Sequence, residues 1–309
     1  MPTLTKFTVQ DSEAIANYYQ EYGYVVVNKL LDEAKIDHFL NIYDSVKRSP
    51  HFIFNTQDTH LPSKPKLTPE GLLQNSMLNP SELKFAPQFS AALEDCIFDE
   101  AISQVLGDIS GAAEHIMWQN MFFDRSTGTI DHQDHYYLDT NPAGHLIAAW
   151  YALEDIHHDA GCFFVMPGSH RGDLITRNNV AGFDDHEDYR LQMLDLIERS
   201  SYEKIDCTLK KGDVLFWHPS TIHGANANSN PHRSRKSFTT HFYPAHLTRQ
   251  FTDQQIPTSP SKANPQILKA KSSSLASYWR NTKMYLRWGV NKLKGQDPQM
   301  IMRRDQYDS

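Results

Sequence analysis

Cysteine is scarce in this chain: three among 309 residues (Cys96, Cys162, Cys207), an odd number with no CxxC spacing. That argues against a disulfide framework and a thiolate zinc site. The expectation is a reducing, cytoplasmic setting in which the cysteines serve as small buried hydrophobes. Excess positive charge is also missing. Lys and Arg number 30 against 37 Asp and Glu, a formal net charge of −7. Whole-molecule attraction to nucleic acid or an anionic membrane is therefore not expected, although local basic patches remain open. No apolar run reaches the ~20 residues of a membrane-spanning helix, and the opening MPTLTKFTVQDSE has no signal-peptide core. Internal repeats and low-complexity tracts are absent too. The expectation is a single domain over residues 1–309 with a sizeable core, acting on a small molecule, with no nucleic-acid partner and no integral membrane segment.

Several segments carry readable patterns. Residues 12–22 (SEAIANYYQEY) predict a helix with Ser12 as N-cap and Gly23 as stop. The apolar, β-branched run 24–31 (YVVVNKLL) predicts a strand. Residues 32–48 place Ile36, Phe39, Leu40, Tyr43 and Val46 on one helical face. The stretch 49–87 holds several prolines and little periodicity, which predicts an irregular segment of the kind that forms lids and binding loops. Residues 92–107 predict a further helix ended by Gly107. From about residue 113 short apolar runs recur between turn signals: HIMWQNMFF, HLIAAWYAL, GCFFVMPG, KIDCTLK, DVLFWH and KSFTTHFYP. This texture predicts an all-β sandwich or barrel with flanking helices rather than βαβ units. The β core is expected over about 113–245, after N-terminal helices and a loop over 1–112. A charged insert, about 171–203, carries a short helix near 187–199. After a polar stretch to about 273, residues 273–294 predict a helix mixing Leu275, Tyr278, Trp279, Tyr285, Leu286 and Trp288 with Arg and Lys, so that 250–309 forms a C-terminal helical extension. That helix is expected to pack on the barrel or on another subunit, which makes a homo-oligomer possible; a membrane-surface or partner helix is the alternative.

Histidine is plentiful, with 16 residues, about twice average usage. The densest stretch is DHQDHYY at 131–137, which contains His132-Gln133-Asp134. Residues at i and i+2 of an extended chain point to the same side, and imidazole plus carboxylate suits a borderline divalent metal. A third ligand must come from elsewhere, and GDVLFWHPSTIHGANANSNPHRSRKSF (212–238) offers His218 and His223. Two His and one carboxylate form the facial triad of non-haem iron(II) oxygenases, which leaves coordination sites open. Arg233 and Arg235 follow, and a guanidinium fork matches a carboxylate.

HQDxxY at 132–137, AWYALEDIHHDAGCFFVMPGSHRGDL at 149–174 and GDVLFWHPSTIHGANANSNPHRSRKS at 212–237 together resemble the phytanoyl-CoA dioxygenase family, as does the entry segment EYGYVVVNKLLDEAKI at 21–36. The resemblance covers roughly residues 12–245. It implies a double-stranded β-helix (jelly roll, cupin-like) core and a dioxygenase using Fe(II), 2-oxoglutarate and O2. The implied iron ligands are His132, Asp134 and His223, with His218 a neighbour. The implied 2-oxoglutarate anchor is Arg235, one residue later than the family spacing, with Arg233 as an outside candidate. Trp150 and Gln119 match positions near the cosubstrate. Ala225 departs from the family's usual Ser, a loss for which Ser237 can compensate. Tyr136 and Tyr137 are candidate pocket residues. An aspartate at 134 fills the site that related halogenases leave for chloride, so hydroxylation, desaturation or cyclisation of an unactivated C–H bond is expected. The alternatives are a non-oxidative metal-dependent isomerase or lyase, or a non-catalytic binding protein, on the same scaffold. His135, His157 and His158 are expected at the surface, and PGSH (167–170) as a structural turn.

Overall fold

The computed structural model describes residues 4–126, 128–178, 186–271 and 273–293. Helix α1 (Ser12–Tyr22) ends where Gly23 adopts φ +74° and returns its N–H to the Tyr19 carbonyl. Strand β1 (Tyr24–Val27) is wholly buried. The apolar run does not continue as a strand to residue 31: the chain turns at Asn28 and Lys29, the latter at a left-handed φ of 49°, and Leu30 and Leu31 are buried after the turn. Asp32 then caps helix α2 (Glu33–Val46) by accepting from the Ala34 N–H. The helix expected at 92–107 is two helices, α3 (Pro87–Ile97) and α4 (Glu100–Ser110). The break is set by Asp99, whose carboxylate accepts the Ala101 N–H and so caps α4. Gly107 does not stop this helix; Gly111 does, at φ +71°.

Two sheets form the β core. The larger contains β1, β2 (Met77–Leu78), β3 (His115–Phe123), β4 (Ile147–Ala152), β7 (Val214–Trp217) and β9 (Ser237–Pro244), paired in the order β1-β7-β4-β9-β3-β2. All these pairs are antiparallel. The smaller sheet contains β5 (Phe163–Val165), β6 (Ile205–Asp206) and β8 (His223–Ala225), in the order β6-β5-β8. This is a jelly-roll core carrying helices on one side. Side-chain alternation assigns the faces. Val25, Tyr151, Phe216, Phe238 and Phe242 turn outward onto Phe39, Tyr43 and Phe89 of α2 and α3. Tyr24, Val26, Trp150, Leu215 and Trp217 turn inward onto Cys162, Phe163 and Val165 of the smaller sheet. All three cysteines are buried and free, as expected.

The insert carries α5 (His186–Arg199). The polar stretch after 249 is less irregular than its composition suggests. Thr258–Pro260 pairs with β10 (Ile267–Ala270), and β10 adds parallel to β3 before α6 (Ser274–Leu293) begins.

Candidate metal centre

His132 and His223 are held side by side by the backbone. Each donates its N–H to the other's carbonyl, at 2.9 and 3.0 Å, in an isolated antiparallel bridge. Gly224 permits this approach: a Cβ there would lie 2.8 Å from the Phe164 ring, 3.0 Å from the Thr129 carbonyl and 3.1 Å from the Ile130 carbonyl. The two imidazole centroids are 4.1 Å apart. Each ring places Nδ1 at 2.8 Å from the carbonyl two residues upstream, His132 on Ile130 and His223 on Thr221. A carbonyl can only accept, so Nδ1 carries the proton and the Nε2 lone pair is free.

Asp134 opens a single 3-10 turn (Asp134–Tyr136) and turns Oδ1 toward both rings, 3.6 Å from each Nε2. Its Oδ2 accepts the Trp217 indole N–H at 2.9 Å and lies 3.4 Å from His241 Nε2. All three triad residues are buried. Burial works to raise the Asp134 carboxyl, but the His223 and His241 imidazoles outweigh it and hold the group well below the usual carboxylate range. Burial pushes the His223 imidazole down, and the adjacent His132 adds to this. An ionised carboxylate and two imidazole Nε2 atoms thus face one another. That donor set fits a divalent cation bound on one face.

The triad opens into a cleft of about 70 Å³, whose walls include Arg235, Trp150, Phe123, Thr239 and Ala225. Arg235 is buried, and its Nη1 donates to the Gly161 carbonyl at 3.1 Å. Its guanidinium carbon lies 5.5 Å from the Phe123 centroid and 5.6 Å from that of Trp150. Its Nε has no partner, and no carboxylate pairs with it among the described residues. Burial pulls the guanidinium down to about 10, so it remains cationic at neutral pH. A buried cation without a counter-ion is costly, and a carboxylate entering the cleft would supply one.

The other expected residues are distributed around this centre. Trp150 lines the cleft. Gln119 stands one step back, its Nε2 at 3.4 Å from His241 Nδ1. The Ser237 hydroxyl turns to the Arg235 carbonyl at 3.4 Å, whereas Thr239, two residues on, presents to the cleft. Tyr136 is buried in a cluster with Tyr189. The Tyr137 ring packs 6.0 Å from that of His132 and stacks on His186. His218 lies elsewhere, beside Tyr19 and His170, with Nδ1 accepting from the Ser220 N–H. Arg233 pairs with Asp159, away from the cleft. His135 is a correction: it is buried and bonded to Asp139 at 2.6 Å, because the 3-10 turn that aims Asp134 outward to the metal position turns the next residue inward. His157 and His158 are exposed as expected.

Three contributors were not singled out from the sequence. His241 lines the cleft, and the alternation Ser237, Thr239, His241 along one face of β9, continuing the parity of Arg235 just before it, is a signal for it. Trp217 holds Asp134. Gln133, fully buried between the two ligands, donates from Nε2 to the Asp173 and Ser220 carbonyls, and its backbone N–H donates to the Tyr189 hydroxyl. The charged insert is thereby tied to the ligand turn.

A family model described as phytanoyl-CoA dioxygenase (PhyH) matches residues 19–237. The peroxisomal phytanoyl-CoA dioxygenase of Bos taurus is 25% identical over 250 residues, which cover 73% of this chain and 66% of that protein. The chain therefore spans slightly under two thirds of that relative. A phytanoyl-CoA dioxygenase domain-containing protein 1 homolog of Dictyostelium discoideum is 32% identical over 170 residues, 53% of this chain and 55% of the relative. Among solved structures, the non-heme alpha ketoglutarate dependent carbocyclase SnoK from nogalamycin biosynthesis superposes with a TM-score of 0.58 at 20% identity, covering 81% of this chain and 91% of its own. EctD from S. alaskensis, solved with 2-oxoglutarate and 5-hydroxyectoine, gives 0.55 at 18% identity, covering 80% and 82%. These two likenesses concern the fold. Because the family model matches more than half of this chain, a span that includes His132, Asp134, His223 and Arg235, the chain belongs to the phytanoyl-CoA dioxygenase family.

Proposed function

We propose that the chain is an Fe(II)- and 2-oxoglutarate-dependent oxygenase that oxidises an unactivated C–H bond of a small metabolite. The observation that carries this reading is the buried, uncompensated Arg235 in the same cleft as His132, Asp134 and His223. A triad alone would serve many metal chemistries. A triad sharing a cleft with a lone guanidinium suits a cosubstrate that chelates metal at one end and carries a carboxylate at the other. When bound, iron with 2-oxoglutarate and dioxygen supplies the oxidising power.

The chain's own residues do the rest. His132 and His223 present Nε2, held in place by their Nδ1 bonds to Ile130 and Thr221. Trp217 occupies Oδ2 of Asp134 and so leaves Oδ1 for the metal. Arg235 holds the distal carboxylate, with Phe123 and Trp150 excluding water from around it. The Thr239 hydroxyl takes the part that a Ser at 225 plays elsewhere in the family. Gln119 acts through His241, and Tyr137 lies beside His132 on the side toward the insert. Asp134 occupies the carboxylate position, which favours hydroxylation, desaturation or cyclisation over halogenation. The structurally similar proteins include a carbocyclase and an epimerase, so the proposed reaction goes no further than oxidative attack on a C–H bond.

The test is succinate formation from 2-oxoglutarate by purified protein with Fe(II) under air, against an anaerobic control, across a panel of small polar metabolites. Turnover needing neither dioxygen nor 2-oxoglutarate would instead identify a non-oxidative metal enzyme.

A further inference from the structure

We infer that α6 (Ser274–Leu293) docks the protein on an anionic lipid surface. The helix contains Arg280, Lys283, Arg287 and Lys292 and no acidic residue, in a chain whose net charge is −7. Removing those four cations leaves −11 for the remainder, so charge is segregated onto this element. All four are exposed.

The helix is fixed to the body by one face. Ser277, Asn281 and Met284 are buried; Asn281 accepts the Lys84 N–H at 3.0 Å and donates to the Glu82 carbonyl at 3.1 Å. The Tyr285 hydroxyl donates to the His51 carbonyl at 2.7 Å. The opposite face presents Leu275 (80% exposed), Trp279 (55%), Leu286 (61%), Val290 (48%) and Leu293 (89%). With 3.6 residues per turn, these five positions fall in one narrow arc, roughly opposite Ser277 and Met284. Lys283, Arg287 and Arg280 lie beside that arc, and the Lys283 ammonium sits 5.4 Å from the Trp279 ring centroid. Half-exposed Tyr278 and Phe85, in edge contact, widen the apolar strip.

An apolar strip bordered by Lys and Arg, with Trp among its members, is the pattern of a helix lying in a bilayer interface. No helix among the described residues is long and apolar enough to cross a membrane, so the geometry is that of surface docking. A cleft of about 500 Å³ opens beside the helix, with Lys84, Lys262, Lys269 and Arg280 on its walls. Lys269 is paired with Glu94 at 2.7 Å and Arg280 lies 3.6 Å from Glu82, both acids on the same walls, whereas Lys84 and Lys262 make no ion pair among the described residues. The basic surface therefore continues from the helix to a recess able to take a headgroup phosphate. Charge decides between occupants: a second copy docked by the same strip would bring its own Lys283, Arg287 and Arg280 against these three, whereas a phosphatidylserine-rich surface neutralises them.

The test uses the full chain in co-sedimentation with phosphatidylserine–phosphatidylcholine vesicles and with pure phosphatidylcholine vesicles. Binding to the former only, falling steeply with added salt, is the expected result. The double variant Lys283→Glu/Arg287→Glu, and separately Leu286→Glu, should each lower partitioning by at least about tenfold. Both leave circular dichroism and 2-oxoglutarate turnover unchanged, because neither touches the cleft that holds the triad. Recovery of the wild type in the supernatant with both vesicle types overturns the inference, as does undiminished binding by the variants. A wild-type dimer in sedimentation velocity that Leu286→Glu converts to monomer assigns the strip to a second copy and overturns it equally.

Discussion

Replacing Arg235 by glutamine separates two effects that a merely structural arginine would not separate. Arg235 is buried, bonds through Nη1 to the Gly161 carbonyl and has no counter-ion. If its partner is the distal carboxylate of 2-oxoglutarate, the variant loses a charge-assisted, two-pronged contact in a dry site, worth about 2–4 kcal/mol. At about 1.4 kcal/mol per decade the KM for 2-oxoglutarate should rise roughly 30-fold or more. Iron content should stay at the wild-type level, since no triad atom is touched. In the absence of 2-oxoglutarate, stability should hold or rise: the amide can still donate to Gly161, and an uncompensated buried charge has gone. Arg235→Lys should behave nearly as poorly in KM, because an ammonium reproduces neither the fork nor the contact with the Phe123 and Trp150 rings. The assays are 2-oxoglutarate-dependent succinate formation over a concentration series and urea unfolding of the apoprotein. An unchanged KM, or an apoprotein destabilised by several kcal/mol, would refute the anchoring role and reassign Arg235 to the core.

Further outcomes follow from the same geometry. Asp134→Ala should abolish turnover and lower iron content measured after desalting, since it removes the anionic ligand between the two histidines; full activity would dismiss the triad. Trp217→Phe should keep the fold but weaken metal retention about tenfold, because Oδ2 of Asp134 loses its donor and the carboxylate is free to turn. Gly224→Ala should cost about 1–3 kcal/mol by urea unfolding, and should cost metal as well, since two of its three close contacts are backbone carbonyls that cannot swing aside. Acid should destabilise the chain through His115 and His218, which burial pushes down to about 4 in the folded state. The unfolded imidazoles titrate near 6.5, so between pH ~6.5 and ~4 only the unfolded chain gains these protons. Stability is full above that window and falls by about 3 kcal/mol per histidine as pH drops through it; His115→Gln should remove about half of that loss in urea titrations across the range.

Much of the site was legible because its signals are short-range. His-x-Asp puts two ligands on one side of an extended chain, and His223-Gly224 marks a strand that another backbone approaches closely. Distance along the chain after the last ligand left Arg233 and Arg235 both open; the family resemblance chose Arg235, which shares a cleft with the triad whereas Arg233 pairs with Asp159. What stayed hidden depends on long-range packing. Trp217 reads as one more buried aromatic until Asp134 is folded against it from 83 residues away. Gln133 looks like a polar spacer between ligands, yet it joins segments 40 and 87 residues distant. The helical pattern over 92–107 concealed a break, because Asp99 is an ordinary surface residue inside a helix and a cap when the chain turns before it. Strand β10 is not legible in the sequence, because its four residues end in Lys and Ala and its partner is a parallel strand more than 140 residues earlier.

The two halves of the cleft are built on different supports, and this bears on how the site tolerates change. The metal half depends on a backbone bridge: His132 and His223 exchange N–H···O bonds, and Gly224 lets the facing carbonyls come within about 3 Å of where a Cβ would stand. The cosubstrate half depends on a second glycine. Gly161 sits at φ +74°, its carbonyl receives Arg235, and an added Cβ would lie 2.7 Å from the Asn226 carbonyl. Asn226 follows Ala225 directly, and its N–H donates to the Cys162 carbonyl at 3.0 Å. The chain therefore passes from metal ligand to arginine support within four residues, along β8 and into Asn226 just past it. A change at Gly161 should thus displace both halves together, raising the KM for 2-oxoglutarate and lowering metal content in the same variant. A change at Arg235 should affect the first quantity alone. Gly161→Ala behaving like Arg235→Gln, with iron retained, would show that the two supports are independent.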